Sequence, residues 1–536
     1  MNRYRRIKRA FLFIIVTSLA ASIVSAANLP LPSSEVTSSI TTRDLKKHLS
    51  FLASDELGGR YTLSQGNRIA ARYLASELES YGYKGAARDG SFFQKVPLSY
   101  RNVNMDKSSL VLNAGETKRS FKYADDFGFQ APAGLNLSGD LVFVGYGISS
   151  PKNNHDDYRG LDVKGKIAVA LGNLPDALKK AGFDDEKQVE AAAAGGAIAL
   201  IQIAPPVYMA SWAQLRSYML RETATLPPPA STGKDVPLIY AGPELSKALA
   251  KAMGKEETYL MSPKSEEVRP LAINASGEIK VDVDVKEAPP ACNVVGVLEG
   301  SDARLKDEYV VFSSHYDHLQ SKDNGEVYNG ADDDGSGTVS VLEIAQAFAV
   351  GPRAKRSVLI IFHTGEEMGL LGSQFNADYE PVVPLSKLVA DFNIDMIGRS
   401  RAPGDTDVRD RELTDKDSVY VIGADKLSTE LNQISEQTNA ETTRLRFDYT
   451  YNDEAHPQQF YYRSDHYNYA KHGIPIIFYF TGVHRDYHMP TDDIEKIDFE
   501  KMERISRMIL ATGWRVANLD HRLVVDKKKT SGPGGQ

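Results

Sequence analysis

The chain has 536 residues, of which 42% are hydrophobic and 25% are charged, and its formal net charge is −8. This composition is that of an ordinary globular protein that can form a sizeable core. The acidic balance makes nucleic acid and anionic lipid poor candidates as partners, and a single cysteine, Cys292, excludes an internal disulfide.

The first segment of the chain is predicted to be a targeting signal. A basic stretch precedes an apolar run at residues 10–21, and small residues suited to cleavage follow at 24–27. The run is short for a membrane anchor of roughly 20 residues, so we predict a secretory signal peptide over residues 1–26. Its removal takes away five positive charges and leaves a net charge of −13. We therefore expect an exported protein, periplasmic or extracellular, without stable membrane association.

Two helices are predicted after the signal peptide. Thr41 and Asp44 form a capping-box pattern, and leucines continue at helical spacing to Leu52. The stretch DELGGR at 55–60 ends this helix, and a second helix is predicted over 66–81.

The middle of the chain has a different character. Short apolar or alternating runs recur from about residue 110, separated by Gly, Pro and Asn. This pattern predicts a β-rich domain over 111–288, inserted into the sequence of a larger domain.

After Cys292 the chain alternates between strand and helix patterns. Apolar strands are predicted at 309–314, 357–362, 388–394, 418–422 and 475–480. Helices are predicted at 336–349, 368–376, 427–437 and 499–519. The alternation predicts an α/β fold, with a mostly parallel mixed sheet flanked by helices. The larger domain is then discontinuous, at 40–110 and 289–522, and a disordered tail is predicted over residues 523–536.

Candidate metal ligands follow these strands. In open α/β sheets the site lies beyond the carboxyl ends of the strands, where distant side chains converge. Mixed imidazole and carboxylate ligands suit zinc. The candidates after the strands, or in the turn that opens the helix at 336, are His315, Asp333, Glu367, Asp395 and His488. Acids at a helix N-terminus also form a favourable cap, so the metal interpretation of Asp333 depends on the other ligands.

The number of candidate ligands predicts two metal ions. One ion needs three or four protein ligands, and five ligands serve two ions if Asp333 bridges them. Of the adjacent pair Glu366 and Glu367, one can bind metal while the other faces the open position, so Glu366 is the predicted general base. Asp317 can accept the ring N–H of His315 and fix its tautomer.

Other polar residues near these ligands have two interpretations each. Tyr487 could donate to an oxyanion or could pack at the surface, and His466 could contact substrate or be structural. A group of arginines after Asp395, including Arg399, is predicted to lie in a solvated loop, and a substrate-carboxylate clamp is the alternative.

Six stretches in order resemble the di-zinc co-catalytic aminopeptidase family. They are SSHYDHL (313–319), NGADDDGSG (329–337), HTGEEMGLLGS (363–373), NIDMIG (393–398), YRSDHYNYAKHGIP (462–475) and DYHMPTDD (486–493). The stretches GDLVFVGYGI (139–148) and DYRGLDVKGKIAV (157–169) resemble the protease-associated domain of the family's exported members.

The resemblance implies removal of N-terminal amino acids from peptide substrates. It assigns His315, Asp333 and Asp395 to one zinc ion, and Asp333, Glu367 and His488 to a second. It also implies Glu366 as the base, Asp317 behind His315, and a cis peptide bond between Asp333 and Asp334.

Three other functions stay open on the same fold. A carboxypeptidase would need a carboxylate clamp, and a glutaminyl cyclase would not be expected to carry the inserted domain. A catalytically inactive binding relative would be expected to lack ligands or the base, and none is missing here.

Overall fold

The computed structural model describes residues 29–130, 134–150, 155–220, 223–227, 236–256, 259–260, 267–322, 324–454 and 456–527. The predicted signal peptide at 1–26 lies outside these residues, and so does most of the predicted tail, at 528–536. Within the described part of the chain, no helix has both the length and the apolar character that a bilayer crossing requires.

Several helices begin where the sequence provides capping side chains. Thr41 accepts a hydrogen bond from the main-chain N–H of Asp44 at 3.1 Å, and Ser64 accepts one from that of Asn67 at 3.1 Å. In chain order, the helices of the described residues are α1 (Ser34–Ser38), α2 (Thr42–Leu52), α3 (Gln65–Ser80), α4 (Asp176–Lys180), α5 (Asp185–Gly195), α6 (Pro206–Ala210), α7 (Trp212–Met219), α8 (Pro243–Ala252), α9 (Gly337–Val350), α10 (Leu371–Gln374), α11 (Thr429–Glu441), α12 (His466–Ala470) and α13 (Phe499–Asn518).

The strands are short, and those in the second half of the chain are mostly buried. In chain order they are β1 (Lys84–Gly85), β2 (Phe93–Val96), β3 (Ser99–Val103), β4 (Ser109–Ala114), β5 (Thr117–Lys122), β6 (Phe127–Gln130), β7 (Leu135–Phe143), β8 (Ser149–Ser150), β9 (His155–Asp156), β10 (Ile167–Leu171), β11 (Ala199–Ile203), β12 (Ala224–Thr225), β13 (Leu238–Ala241), β14 (Leu271–Val281), β15 (Val283–Glu287), β16 (Ala291–Leu298), β17 (Tyr309–His315), β18 (Ser357–His363), β19 (Leu388–Ile394), β20 (Ser418–Ile422), β21 (Arg446–Asp448) and β22 (Ile476–Phe480).

One mixed sheet organises the second half of the chain. Its order is β1-β16-β18-β17-β19-β22-β20-β21, and β2 also pairs with β16. The four central strands β18, β17, β19 and β22 are parallel to one another, while β16 and β20 are antiparallel to their central neighbours. The predicted α/β class with a mostly parallel mixed sheet is therefore confirmed, and five predicted strands agree with the structure to within one residue.

The sheet has an apolar core on each face. Helices α2, α3, α9 and α13 cover one face, with Leu342, Ile360 and Ile509 among the fully buried side chains. The other face packs against aromatic side chains that include Phe460 and Tyr469. Central strands buried on both faces read as continuous apolar runs in the sequence, which is why the pattern predicts them well.

The predicted helix at 368–376 is shorter in the structure. Gly369 and Leu370 have φ angles of 105° and 60°, which lie outside the right-handed helical region. Helix α10 therefore begins only at Leu371, and a wider turn, Phe375–Tyr379, continues from it.

A second sheet of eight strands occupies the middle of the chain. Its order is β5-β4-β14-β7-β10-β11-β13-β6, and β7, β10, β11 and β13 are parallel. Helices α4 to α8 lie in sequence between these strands, so this part contains more helix than the strand-rich sequence pattern predicts. It has its own apolar core, in which Phe143, Ile201 and Leu249 are buried.

A small apolar cluster joins the middle of the chain to the first sheet. Ala224 and Leu226, from the middle segment, are buried together with Leu371 and Phe375. The hydroxyl of Tyr379 also donates to the main-chain carbonyl of Pro227 at 3.0 Å. The middle segment therefore contacts the chain that follows Glu366 and Glu367.

Candidate metal centre

The predicted ligands lie at the carboxyl edge of the central parallel strands. His315 is the last residue of β17, Glu366 and Glu367 follow β18, and Asp395 follows β19. His488 lies in the loop after β22. Parallel strands end at one edge of a sheet, so residues far apart in sequence meet there.

Asp333 lies between the two histidines of this edge. Its Oδ1 is 3.4 Å from His315 Nε2, and its Oδ2 is 3.1 Å from His488 Nε2. The distance from His488 Nε2 to Glu367 Oε2 is 3.1 Å, and that from His315 Nε2 to Asp395 Oδ1 is 3.7 Å. Two ligands of one tetrahedral zinc ion, each about 2.1 Å from the metal, lie roughly 3.4 Å apart. The donor atoms therefore have the spacing of a zinc site.

Asp334 also lies close to His315 and Asp395, with donor atoms within 4.8 Å of theirs. Its two oxygens already accept main-chain hydrogen bonds, Oδ1 from Gly337 and Met396 at 2.9 and 3.1 Å and Oδ2 from His315 at 3.3 Å. The carboxylate of Asp333 is the better candidate ligand on that ground. The peptide bond between the two aspartates is cis.

Asp317 lies behind His315, but the acceptor closest to the His315 ring is its main-chain carbonyl and not the carboxylate that the sequence indicates. His315 Nδ1 is 3.1 Å from the main-chain carbonyl of Asp317 and 3.6 Å from its carboxylate. A carbonyl oxygen only accepts, so Nδ1 carries the proton and Nε2 is left free for a cation. The carboxylate of Asp317 also accepts from the hydroxyl of Thr62 at 2.8 Å and from the main-chain N–H of Glu366 at 3.3 Å.

His318 contacts the second group of donors. Its Nδ1 lies 2.7 Å from Glu367 Oε1 and 3.7 Å from Asp333 Oδ2. The shorter distance is less than two ligands of one zinc ion allow, since such ligands lie roughly 3.4 Å apart. The position of His318 is therefore that of a residue that orients Glu367, and not that of a metal ligand.

The electrostatics of the cluster favour a bound cation. Burial raises the pKa of Glu366 well above its usual value, and the nearby carboxylate of Asp395 raises it further. Burial lowers the pKa of His315, but the carboxylates of Glu366 and Asp395 outweigh it and raise that pKa well above its usual value. The buried Nε2 of His315 has no hydrogen-bond partner among the described residues. An excess of buried carboxylates around an unpartnered imidazole nitrogen fits a site for divalent metal.

The two candidates for substrate contact differ in their placement. Tyr487 lines the cavity beside the donors, and its ring stacks on that of His488 at 3.9 Å between centroids. Burial, followed by the charge of Asp333, raises the pKa of Tyr487, so its hydroxyl keeps its proton at neutral pH. His466 is fully buried, approaches the carbonyl of Tyr461 at 2.8 Å and stacks on Phe478. The predicted substrate contact of His466 is therefore wrong, because its ring is used in packing.

Several residues that the sequence patterns did not indicate complete the site. The cavity between Glu366 and Tyr487 has an apolar wall and one exposed arginine, Arg463. Ser464 donates to Asp395 Oδ2 at 2.8 Å. The apolar wall consists of Met396, Phe460, Phe478, Phe480 and Val483. Arg463 and Ser464 could have been found from the sequence, because they lie inside the stretch YRSDH, one or two residues before Asp465.

One arginine of the loop after Asp395 departs from its prediction, whereas Arg409 and Arg411 are exposed. Arg399 is buried and donates to Asp486 at 2.8 Å, so it is neither solvated nor available as a substrate clamp. Asp486 belongs to the loop that carries His488. The prediction failed because the partner lies 87 residues further along the chain.

Comparisons with known proteins point to one family. The model of peptidase family M28 matches residues 293–513. Aminopeptidase YwaD of Bacillus subtilis is 26% identical over 243 residues, 44% of this chain and 47% of that protein. The probable leucine aminopeptidase 2 of Aspergillus oryzae is 30% identical over 212 residues, 39% of this chain and 37% of that protein. The matches thus span about half, or less, of these curated relatives.

A solved structure covers more of the chain at low identity. The aminopeptidase from Aneurinibacillus sp. strain AM-1 has 19% sequence identity and a TM-score of 0.48. The superposition covers 92% of this chain and 98% of that one.

Proposed function

We propose that the chain is an exported metallo-aminopeptidase that hydrolyses the N-terminal peptide bond of peptides, and the match of residues 293–513 to peptidase family M28 supports this proposal. The observation that supports this most directly is the position of Asp333 between His315 and His488, at 3.4 and 3.1 Å. A carboxylate in that position can serve two metal ions at once.

The proposed cofactor is a pair of zinc ions. His315, Asp333 and Asp395 would hold one ion, and Asp333, Glu367 and His488 would hold the other. Zinc supplies Lewis acidity toward a carbonyl oxygen and lowers the pKa of water. The observed spacing of the donor atoms, 3.1 to 3.7 Å, supports this assignment.

The chain's own residues would move the proton. Glu366 faces the cavity beside the donors, where its carboxylate can take a proton from the attacking water and return it to the leaving amine. Asp317 accepts from the main-chain N–H of Glu366 at 3.3 Å, which holds the start of this loop in place. The Tyr487 hydroxyl lies in the same cavity and can donate to the carbonyl oxygen as negative charge develops on it.

The N-terminal and middle segments complete the proposal. We assign residues 1–26 to a cleaved signal peptide, residues 111–288 to an inserted protease-associated domain, and residues 40–110 with 289–522 to the peptidase domain. Export to the periplasm or the medium follows from the basic and apolar order of the first segment.

The test uses the purified mature chain and short peptides with blocked or free ends. We expect release of the first residue from peptides with a free α-amino group, and no release after N-terminal acetylation. C-terminal amidation separates this activity from a carboxypeptidase, and conversion of N-terminal glutamine without peptide cleavage would instead indicate a cyclase.

Metal removal provides a second arm of the same test. Dialysis against a chelator should abolish the activity, and added zinc should restore it. A metal-free protein that still trims peptides would contradict the proposed function.

A further inference from the structure

We propose that Arg463 is a specificity residue that binds a carboxylate of the peptide substrate. This inference rests on the proposed aminopeptidase function, because it concerns the same cavity. Arg463 is exposed and lines that cavity together with Glu366, Asp395 and Tyr487.

Arg463 differs from the arginines of the neighbouring loops. Arg399 pairs with Asp486 at 2.8 Å, Arg409 with Asp407 at 2.6 Å, and Arg485 with Asp405 at 2.9 Å. Among the described residues no carboxylate forms an ion pair with Arg463. Its guanidinium is therefore available to an anion that enters the cavity.

The side chain of Arg463 is also oriented by its neighbours. Its Cζ lies 4.6 Å from the centroid of the Phe460 ring, and its Nη1 donates to Gln458 Oε1 at 3.4 Å. Stacking on an aromatic face holds the guanidinium plane while leaving its edge free to donate. The neighbouring Ser464 donates to Asp395 at 2.8 Å, which ties the main chain beside Arg463 to the donor cluster.

The charges of the cavity explain why such a residue is needed. Asp333, Glu366, Glu367 and Asp395 all line it, and they favour the positive α-amino group of a peptide. Glu366, which lines the cavity and is not a proposed metal ligand, would repel a substrate that also carries a carboxylate. A planar guanidinium that can bind a carboxylate through two parallel hydrogen bonds offsets that repulsion.

A substrate can present a carboxylate in two ways. The first residue can be glutamate or aspartate, or the peptide can be so short that its C-terminal carboxylate reaches the cavity. The chemistry recognised by Arg463 is the same in both cases, so the experiment needs one substrate pair for each source.

The experiment compares Arg463→Met with the unaltered zinc-loaded protein. One pair of amidated peptides begins with Glu or Gln, and a second pair is the dipeptide Leu-Leu as free acid or as amide. We expect Arg463→Met to lower kcat/KM at least tenfold for the charged member of one pair, mainly through KM. The neutral members should change less than twofold, and Arg463→Lys should give an intermediate loss.

Arg444→Met is the matched control, since Arg444 is also exposed and its Nε donates to the main-chain carbonyl of Ala440 at 3.3 Å, within its own segment of chain. This control should leave every substrate unchanged. Equal losses on charged and neutral substrates, or no loss on either charged substrate, would overturn the role of Arg463 while leaving the aminopeptidase proposal intact. Failure of the unaltered protein to cleave any of the four peptides would overturn both.

Discussion

Arg60 Nη2 donates to the main-chain carbonyl of Gly330 at 2.9 Å, and Gly330 begins the turn that carries Asp333. The Nε of the same guanidinium donates to the carbonyl of Tyr316 at 2.9 Å, directly after His315. One buried arginine from the N-terminal part of the chain thus joins two loops that carry proposed ligands.

Replacement of Arg60 by Met should destabilise the fold and loosen the metal site. The change leaves buried carbonyl groups without a donor, which costs roughly 3 kcal/mol of unfolding free energy. We expect a lower denaturation midpoint and faster loss of zinc to a chelator. Arg68→Met, at an exposed position on α3, should change neither, and an Arg60→Met protein that kept both properties would contradict the role of Arg60.

Glu366→Gln should separate catalysis from metal binding. The amide cannot take a proton from water, so kcat should fall by about 10³-fold. Zinc content should stay at the unaltered level because Glu366 is not a proposed ligand. Metal analysis of Glu366→Gln beside Glu367→Gln checks this, since only the second variant should lose zinc. Loss of zinc from Glu366→Gln would mean that Glu366 is the metal ligand and Glu367 the general base.

His318→Gln should weaken metal retention without removing a ligand. His318 Nδ1 lies 2.7 Å from Glu367, and a residue that orients a ligand contributes about 10- to 100-fold to metal affinity. Competition with a zinc chelator measures the change directly. His363→Gln is the control, because His363 is also fully buried but belongs to neither group of donors. Identical affinities for both variants would rule out this role.

Asp391→Asn should alter how stability depends on pH. Burial raises the pKa of Asp391 from 3.8 to about 7, although Ser313 donates to it at 2.7 Å. Between these values the folded state holds a proton that the unfolded state releases, so unfolding free energy falls as pH rises from about 4 to 7. The asparagine variant does not titrate in this range. Near pH 7 its unfolding free energy should therefore exceed that of the unaltered protein by a few kcal/mol. This magnitude is on the order expected for a pKa so far above its ordinary value.

Urea denaturation of both proteins at pH 5 and pH 7.5 measures this difference. The advantage of Asp391→Asn should be larger at the higher pH. Asp307→Asn, a comparable change at a surface acid, should show no such trend. An advantage of equal size at both pH values would mean that Asp391 is already ionised in the folded state at pH 5.

The positions of the strands and the convergence of the candidate ligands could be predicted because they follow from local pattern and sheet geometry. His315, Asp395 and the Glu366–Glu367 pair each follow an apolar run, and parallel strands bring such positions together. The contacts that support the site could not be predicted in this way. Arg60 binds carbonyls near residues 316 and 330, and Arg399 binds Asp486, and no local sequence rule specifies partners at those separations.

The cavity wall illustrates the same limit. Phe460 follows no strand, and its neighbours in sequence carry no periodic pattern that would assign it to a pocket. Its position results from packing against Phe480 and Tyr451, with ring centroids 4.9 and 4.6 Å apart. The guanidinium of Arg463 packs against the Phe460 ring, so its proposed role can be recognised only when the position of that ring is known.

The burial of Leu226 beside Leu371 and Phe375 has an implication for engineering. An inserted segment that is joined to the rest of the chain only by flexible linkers could be removed or exchanged without destabilising the remaining fold. Here excision of residues 111–288 would expose the apolar side chains of Leu371 and Phe375, in the chain that follows Glu366 and Glu367. A replacement for this segment should therefore keep the stretch around Leu226.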